Sequence, residues 1–203
     1  MSGGLTWAMV ALGIGVVVFR RRSVAVALVT AQALLLALES LHEASSANDA
    51  VASVALGVRG IALAVFFWLL VHRTRETRPV RAGIEPLARG GAAIGLALAL
   101  IWLIPDLGLS SAASERAALT LVAIGLVTAA TRRATLFQVL GIVLVENGLA
   151  VAALALPGSS SLAIEIGITV DLLLIAGVAG VFHERIFAEF GAGDSTALRT
   201  LRD

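Results

Sequence analysis

Apolar residues are gathered into seven runs along this chain, and short polar segments separate them. The runs cover residues 5–19, 24–41, 50–71, 92–104, 112–130, 136–156 and 162–182. A helix of about 20 apolar residues crosses a bilayer core of ~30 Å, and most of the runs approach that length. The pattern therefore predicts an all-α, polytopic membrane protein with seven transmembrane helices.

Composition supports a membrane protein and excludes several classes of chemistry. The chain has 203 residues, of which 59% are hydrophobic and 14% are charged, and its mean hydropathy is +0.97. A soluble domain would carry about 25% charged residues. There is no cysteine, which excludes iron–sulfur, disulfide and zinc–thiolate sites on this subunit. Every basic residue is arginine, so a retinal Schiff base and a P-loop, which both need lysine, are also excluded.

The arginines alternate in a way that predicts topology. Thirteen of them follow the odd-numbered runs, whereas the intervening linkers contain only Arg116. By the positive-inside rule the N-terminus lies outside and the C-terminus is cytoplasmic, in a multi-pass protein of the cytoplasmic (inner) membrane. Because topology explains the arginines, nothing indicates nucleic-acid binding. The predicted parts are a three-helix segment at 1–71, a cytoplasmic arginine-rich loop at 72–91, a four-helix segment at 92–186 and a cytoplasmic tail at 187–203.

Five polar residues fall near the middle of predicted membrane helices. Glu146 and Asp171 lie near the centres of the sixth and seventh runs, Arg59 in the third and Gln32 in the second, and Asn147 adjoins Glu146. An ionisable group at that depth costs ~2.5–3.5 kcal/mol on insertion scales, which makes it a functional candidate. We expect these groups to face inward as one polar layer. Such a layer could relay protons or ions, or an arginine–carboxylate pair could simply lock helices together.

Other acidic residues lie nearer the predicted helix ends. Glu165 is in the first turn of the seventh helix, where a carboxylate is stabilised by the helix dipole, although a place on the ion path stays open. Glu39, His42 and Glu43 share one face at the outer end of the second helix. They form either a solvated helix end or an outer funnel for protons or cations.

Several segments resemble a known family over most of the chain, most specifically in residues 131–203. They are RATLFQ at 133–138, GIVLVENG at 141–148, EIGITVD at 165–171 and DSTALRTLRD at 194–203, with weaker similarity at 20–38 and 56–73. These segments resemble the HyfE family, hydrogenase-4 component E, a membrane-arm subunit of complex I-related energy-converting nickel–iron hydrogenases. The last three helices of that family are similar to the NuoK subunit of complex I and to its counterpart, MrpC, in multisubunit cation/proton antiporters.

This resemblance implies a non-catalytic subunit that lines a proton or sodium path. Asp171 falls at or near a membrane glutamate of the complex I subunit, and Asn147 falls at its asparagine. Glu146 lies about one turn from the other glutamate position, where this chain has Val143. The nickel–iron centre and iron–sulfur clusters are expected on partner chains, with no cofactor or metal on this one. The implied partners are antiporter-like and NuoH-like membrane chains and a peripheral hydrogenase arm.

Two other functions compete with this interpretation. The chain could be a purely structural scaffold or assembly subunit of such a complex, with its polar layer serving only to pack helices. A stand-alone ion transporter is less favoured, because no internal repeat or pair of discontinuous helices is visible. A water-facing enzyme is disfavoured, since no loop is long enough to carry a nucleophile, a base and an orienting group.

Overall fold

The computed structural model describes residues 3–73, 85–105, 107–156 and 162–190, with side chains described in these ranges except at 73, 162–168, 189 and 190. Most of the predicted arginine-rich loop, the turn at 157–161 and the tail beyond 190 lie outside the described residues. Within them, the chain forms seven α-helices. These are α1 (Gly3–Val18), α2 (Arg22–Glu43), α3 (Ala47–Arg73), α4 (Pro86–Leu103), α5 (Ala112–Thr131), α6 (Thr135–Ala155) and α7 (Leu162–Phe190).

Five of these helices, α2 to α6, are long and apolar enough to cross a membrane. The α1 helix is apolar but shorter, with 16 residues. The predicted class, an all-helical multi-pass membrane protein, is thereby confirmed at this level. The number of seven crossings and the orientation of the two termini stay predictions.

Two helix boundaries differ from the apolar runs by six residues or more. The α4 helix begins at Pro86, within the predicted loop at 72–91, because proline at the first helical position is already set for helical φ. The apolar pattern did not reveal this N-terminus, because Arg89, a charged residue in the first turn, interrupts it. The α7 helix runs to Phe190, eight residues beyond the predicted run, and the glycine at 191 follows it directly.

Consecutive helices other than α3 and α4 pack side by side, and helices joined by short connections run in opposite directions. The α5–α6 and α2–α3 pairs have the most extensive contacts, α1 packs on α2, α4 and α5, and α7 packs on α3 and α6. Contacts of α6 with α2 join the two pairs. We call the end of the bundle that holds the C-termini of α1, α3 and α5 and the N-termini of α2, α4 and α6 the arginine-rich end.

The α5–α6 contact is close because glycines face each other. A Cβ atom built at Gly125 would lie 2.5 Å from the Gly141 carbonyl oxygen, and one built at Gly141 would lie 2.6 Å from the Ala129 amide nitrogen. The two backbones therefore touch, which only residues without a side chain allow. This contact fixes α6, and with it the polar residues in the middle of that helix.

Candidate functional site

Four polar side chains come together at the middle of the bundle. They are Gln32 of α2, Arg59 of α3, and Glu146 and Asn147 of α6, and we refer to them as the polar layer. Gln32, Arg59 and Asn147 are buried, and Glu146 is nearly so. Each lies near the midpoint of its helix, so the four share one level of the bundle.

An ion pair joins α3 to α6 in this layer. Arg59 Nη1 donates a hydrogen bond to Glu146 Oε1 over 3.2 Å, and the two side chains are 4% and 14% exposed. Sequence alone left open which carboxylate Arg59 would meet. A charged hydrogen bond at this burial is well above the strength of a surface ion pair, because little water screens it.

A chain of amide hydrogen bonds extends the layer to α1. Asn147 Nδ2 donates to Gln32 Oε1 over 3.1 Å, and Gln32 Nε2 donates to the Met9 carbonyl oxygen over 2.6 Å. Gly13 makes room for this contact, since a Cβ there would lie 3.2 Å from Gln32 Nε2. Glu146 and Asn147 are consecutive, so α6 binds α3 through one residue and α2 through the next. The layer therefore connects α1, α2, α3 and α6 at one level.

Asp171 does not join the polar layer. Its side chain is exposed on α7, and it makes no hydrogen bond or ion pair with the residues that the structure describes. The buried face of α7 consists instead of Leu172, Ala176 and Gly180, and a Cβ at Gly180 would lie 2.5 Å from Cζ of Phe66 on α3. Asp171 therefore lies on the outer surface of this chain, among apolar residues that are also exposed.

The remaining predicted residues lie apart from the layer. Glu165 is on α7, but its side chain is outside the described part of the chain. Glu39 is half-buried near the end of α2, whereas His42 and Glu43 are exposed. Among the described residues, no group of histidine, cysteine, aspartate or glutamate is arranged to hold a metal ion.

Asp49, beside that acidic cluster, has a structural role in starting α3. Its Oδ2 atom accepts hydrogen bonds from the Ser46 amide over 3.0 Å and from Ser45, while Ser46 Oγ accepts one from the Asp49 amide over 3.2 Å. This reciprocal pattern is a capping box, which satisfies backbone donors at a helix N-terminus.

Three buried arginines were not among the sequence candidates: Arg22 at the start of α2, and the less exposed Arg89 and Arg132. Arg89, in the first turn of α4, is 1% exposed, and Arg132, which caps the C-terminus of α5, is 3% exposed. The sequence pattern placed both in arginine-rich linkers, where they explained topology. Their burial depends on α1 packing beside both α4 and α5, which an apolar pattern does not reveal.

Comparisons with known proteins give one relative of similar length. The chain is 28% identical to a Mycobacterium tuberculosis (strain ATCC 25618 / H37Rv) protein named "Uncharacterized protein Rv0085", over all of this chain and 94% of the relative. No protein-family model matches the sequence. No solved structure matches it. The likeness covers every helix, and the relative's name assigns no activity.

Proposed function

We propose that this chain is a membrane-arm subunit of a complex I-like energy-converting nickel–iron hydrogenase, or of a related respiratory complex. In this role it resides in the cytoplasmic membrane, with the metal centres on partner chains, and contributes polar groups to a proton or sodium path. The observation that carries the proposal is the buried polar layer built on the Arg59–Glu146 ion pair. The resemblance of residues 131–203 to the HyfE family supplies the class of complex.

The layer has the features that a path through hydrocarbon needs. Charged groups at mid-depth are expensive, and in membrane proteins they usually mark ion or proton pathways. Here a guanidinium–carboxylate pair and a chain of two amides start from consecutive residues of α6, and together they reach four helices. Glu146 would exchange a proton, Arg59 would control its charge, and Gln32 and Asn147 would orient the connecting groups.

The exposed position of Asp171 supports a function in which this subunit packs against a neighbouring subunit. A carboxylate on the lipid-facing surface of an apolar helix costs a few kcal/mol, so a partner chain that covers it relieves this cost. Val178 and Phe182 lie on the same side of α7 as Asp171, and both are more than half exposed. In the proposed complex this face of α7 packs on an antiporter-like subunit, and Asp171 passes the ion or proton across that interface.

We expect Asp171→Asn to leave the complex assembled but to lower coupled ion translocation by about a hundredfold or more, the least that a positioned proton-transfer group typically contributes. The variant keeps the size of the side chain and removes its proton-binding oxygen. The measurement is redox turnover together with ion uptake in vesicles that contain the purified complex.

Two controls accompany this variant. Asp171→Glu should retain most of the translocation, because it restores a carboxylate. Glu184→Gln makes the same chemical change at an exposed position further along α7 and should have no effect. Unchanged ion translocation in Asp171→Asn would remove Asp171 from the path.

The scaffold function is the second candidate, and the direct contact between Arg59 and Glu146 favours it. A paired arginine and carboxylate can hold α3 against α6 without taking part in ion movement. This function predicts that replacing both members by neutral residues leaves coupled translocation intact in the assembled complex. The relay function predicts that the same double replacement abolishes it.

A further inference from the structure

Arg89 and Arg132 form a buried pair of cations at the arginine-rich end. The Nε, Nη1 and Nη2 atoms of Arg89 are buried, and none of them has a hydrogen-bond partner among the described residues. The same holds for Nε and Nη1 of Arg132. A guanidinium offers five donors and keeps its charge in proteins, so leaving this many donors unsatisfied inside the protein is strongly unfavourable.

Arg132 is held in place by α1. Its Nη2 atom donates to the carbonyl oxygens of Val16, Val17 and Phe19, over 3.3, 2.8 and 2.7 Å, and its Cζ lies 4.2 Å from the centre of the Phe137 ring. The C-terminal end of α1 carries partial negative charge, which favours a cation there. These contacts fix the guanidinium, but they use one of its three nitrogens and leave the other two for a further ligand.

Arg89 has no comparable support. It lies in the first turn of α4, where the helix dipole is positive and disfavours a cation. The residue before the helix, Glu85, is exposed, and its side chain makes no capping hydrogen bond. Burial, followed by the charges of Arg89 and Arg20, lowers the pKa of Arg132 to about 10, so the three cations lie within electrostatic range of one another.

We propose that Arg89 and Arg132 bind the phosphate group of an anionic phospholipid headgroup. A guanidinium can donate two parallel hydrogen bonds to two oxygens of one phosphate. A helix N-terminus such as that of α4 also favours an anion. The pair lies at helix ends, which is the depth of lipid headgroups, and basic pockets between membrane helices are typical sites for such lipids. This proposal does not depend on the proposed function.

Thermal unfolding of the full-length chain in nanodiscs tests the proposal. The protein is compared in phosphatidylcholine, in equal amounts of phosphatidylcholine and phosphatidylglycerol, and in phosphatidylcholine with inorganic phosphate added, all at one ionic strength. A ligand that binds only the folded state raises the unfolding midpoint. We expect phosphatidylglycerol to raise the midpoint of the wild type by several degrees and inorganic phosphate to leave it unchanged.

The variant Arg89→Gln should lose this response, and Arg116→Gln, at an exposed arginine on the opposite end, should keep it. If inorganic phosphate raised the midpoint as much as phosphatidylglycerol does, the arginines would bind phosphate, but the ligand would be the free anion and not a lipid headgroup. A midpoint that responds to neither, or that responds equally in Arg89→Gln, would overturn the proposal and leave a carboxylate of a partner chain as the counter-charge.

Native mass spectrometry gives a second measurement, and its first result comes from the wild type alone. The wild type, purified in detergent from membranes that contain both lipid classes, should retain phosphatidylglycerol in preference to phosphatidylcholine. Arg116→Gln should retain it equally, and Arg89→Gln should lose most of it. Equal retention of both lipids by the wild type would count against the site.

Discussion

Replacing Glu146 by glutamine is expected to destabilise the bundle by about 3–5 kcal/mol, the typical cost of breaking a buried ion pair from one side. The substitution conserves the shape of the side chain but removes the negative charge 3.2 Å from Arg59. Arg59 stays buried, and its guanidinium cannot lose its proton to become neutral. The measurement is the free energy of unfolding of the purified protein in detergent.

The reverse substitution should cost less. In Arg59→Met the charge left behind is that of Glu146, which is more exposed than Arg59 and whose carboxyl can become neutral by binding a proton. The double variant should be more stable than Glu146→Gln alone, and the cycle of four proteins gives the coupling energy of the pair. Glu115→Gln makes the same change at the start of α5 and should cost only about 0.3–1 kcal/mol, the worth of a carboxylate near a helix N-terminus. A coupling energy near zero would show that the contact contributes nothing to the fold.

The same double variant, placed in the whole complex, separates the two candidate functions. If it folds, assembles and still couples redox turnover to ion translocation, the pair serves only to pack α3 on α6. If it assembles but loses coupling, the pair belongs to the ion path. Stability measured on the isolated chain removes the ambiguity of a variant that fails simply because it unfolds.

The depth of the polar layer could be predicted from sequence, but its connections could not. The rise per residue of an α-helix is fixed, so counting along an apolar run gives the depth of Gln32, Arg59 or Glu146. Arg59 and Glu146 are 87 residues apart, and their meeting depends on which helices are neighbours and how each is rotated. A helix that is apolar on all sides gives little information about its neighbours or about its rotation around its own axis.

Asp171 and Arg89 also show that sequence alone did not predict which polar side chains are buried. Asp171 is exposed where burial was expected, and Arg89 is buried where exposure was expected. A single aspartate in a uniformly apolar helix gives the same sequence pattern whether it faces inward or outward, and α7 turns it outward. Arg89 matched the pattern of a solvated linker, yet α4 begins before it and the neighbouring helices bury it. Both outcomes are set by helix packing, which sequence periodicity did not determine here.

Introducing a single methyl group between α5 and α6 should also destabilise the bundle, by about 1–3 kcal/mol or more, as overpacking does in close-packed interiors. In Gly125→Ala the new Cβ would lie 2.5 Å from the Gly141 carbonyl oxygen and 2.6 Å from the Val145 amide nitrogen. These are backbone atoms, so no side-chain rotation relieves the clash and the two helices must separate. The measurement is again the free energy of unfolding in detergent, with Gly141→Ala expected to give a similar loss.

Gly95→Ala on α4 is the matched control, because no atom lies within 4 Å of the Cβ it would add. The same change in chain entropy and helix propensity occurs there without the clash, so no loss of stability is expected. Separation of α5 and α6 would also move Asn147 relative to Gln32, since Asn147 lies on the helix that must shift. If Gly125→Ala were as stable as Gly95→Ala, the backbones of α5 and α6 would have to lie further apart than this structure places them, and the position of the polar layer on α6 would need to be revised with them.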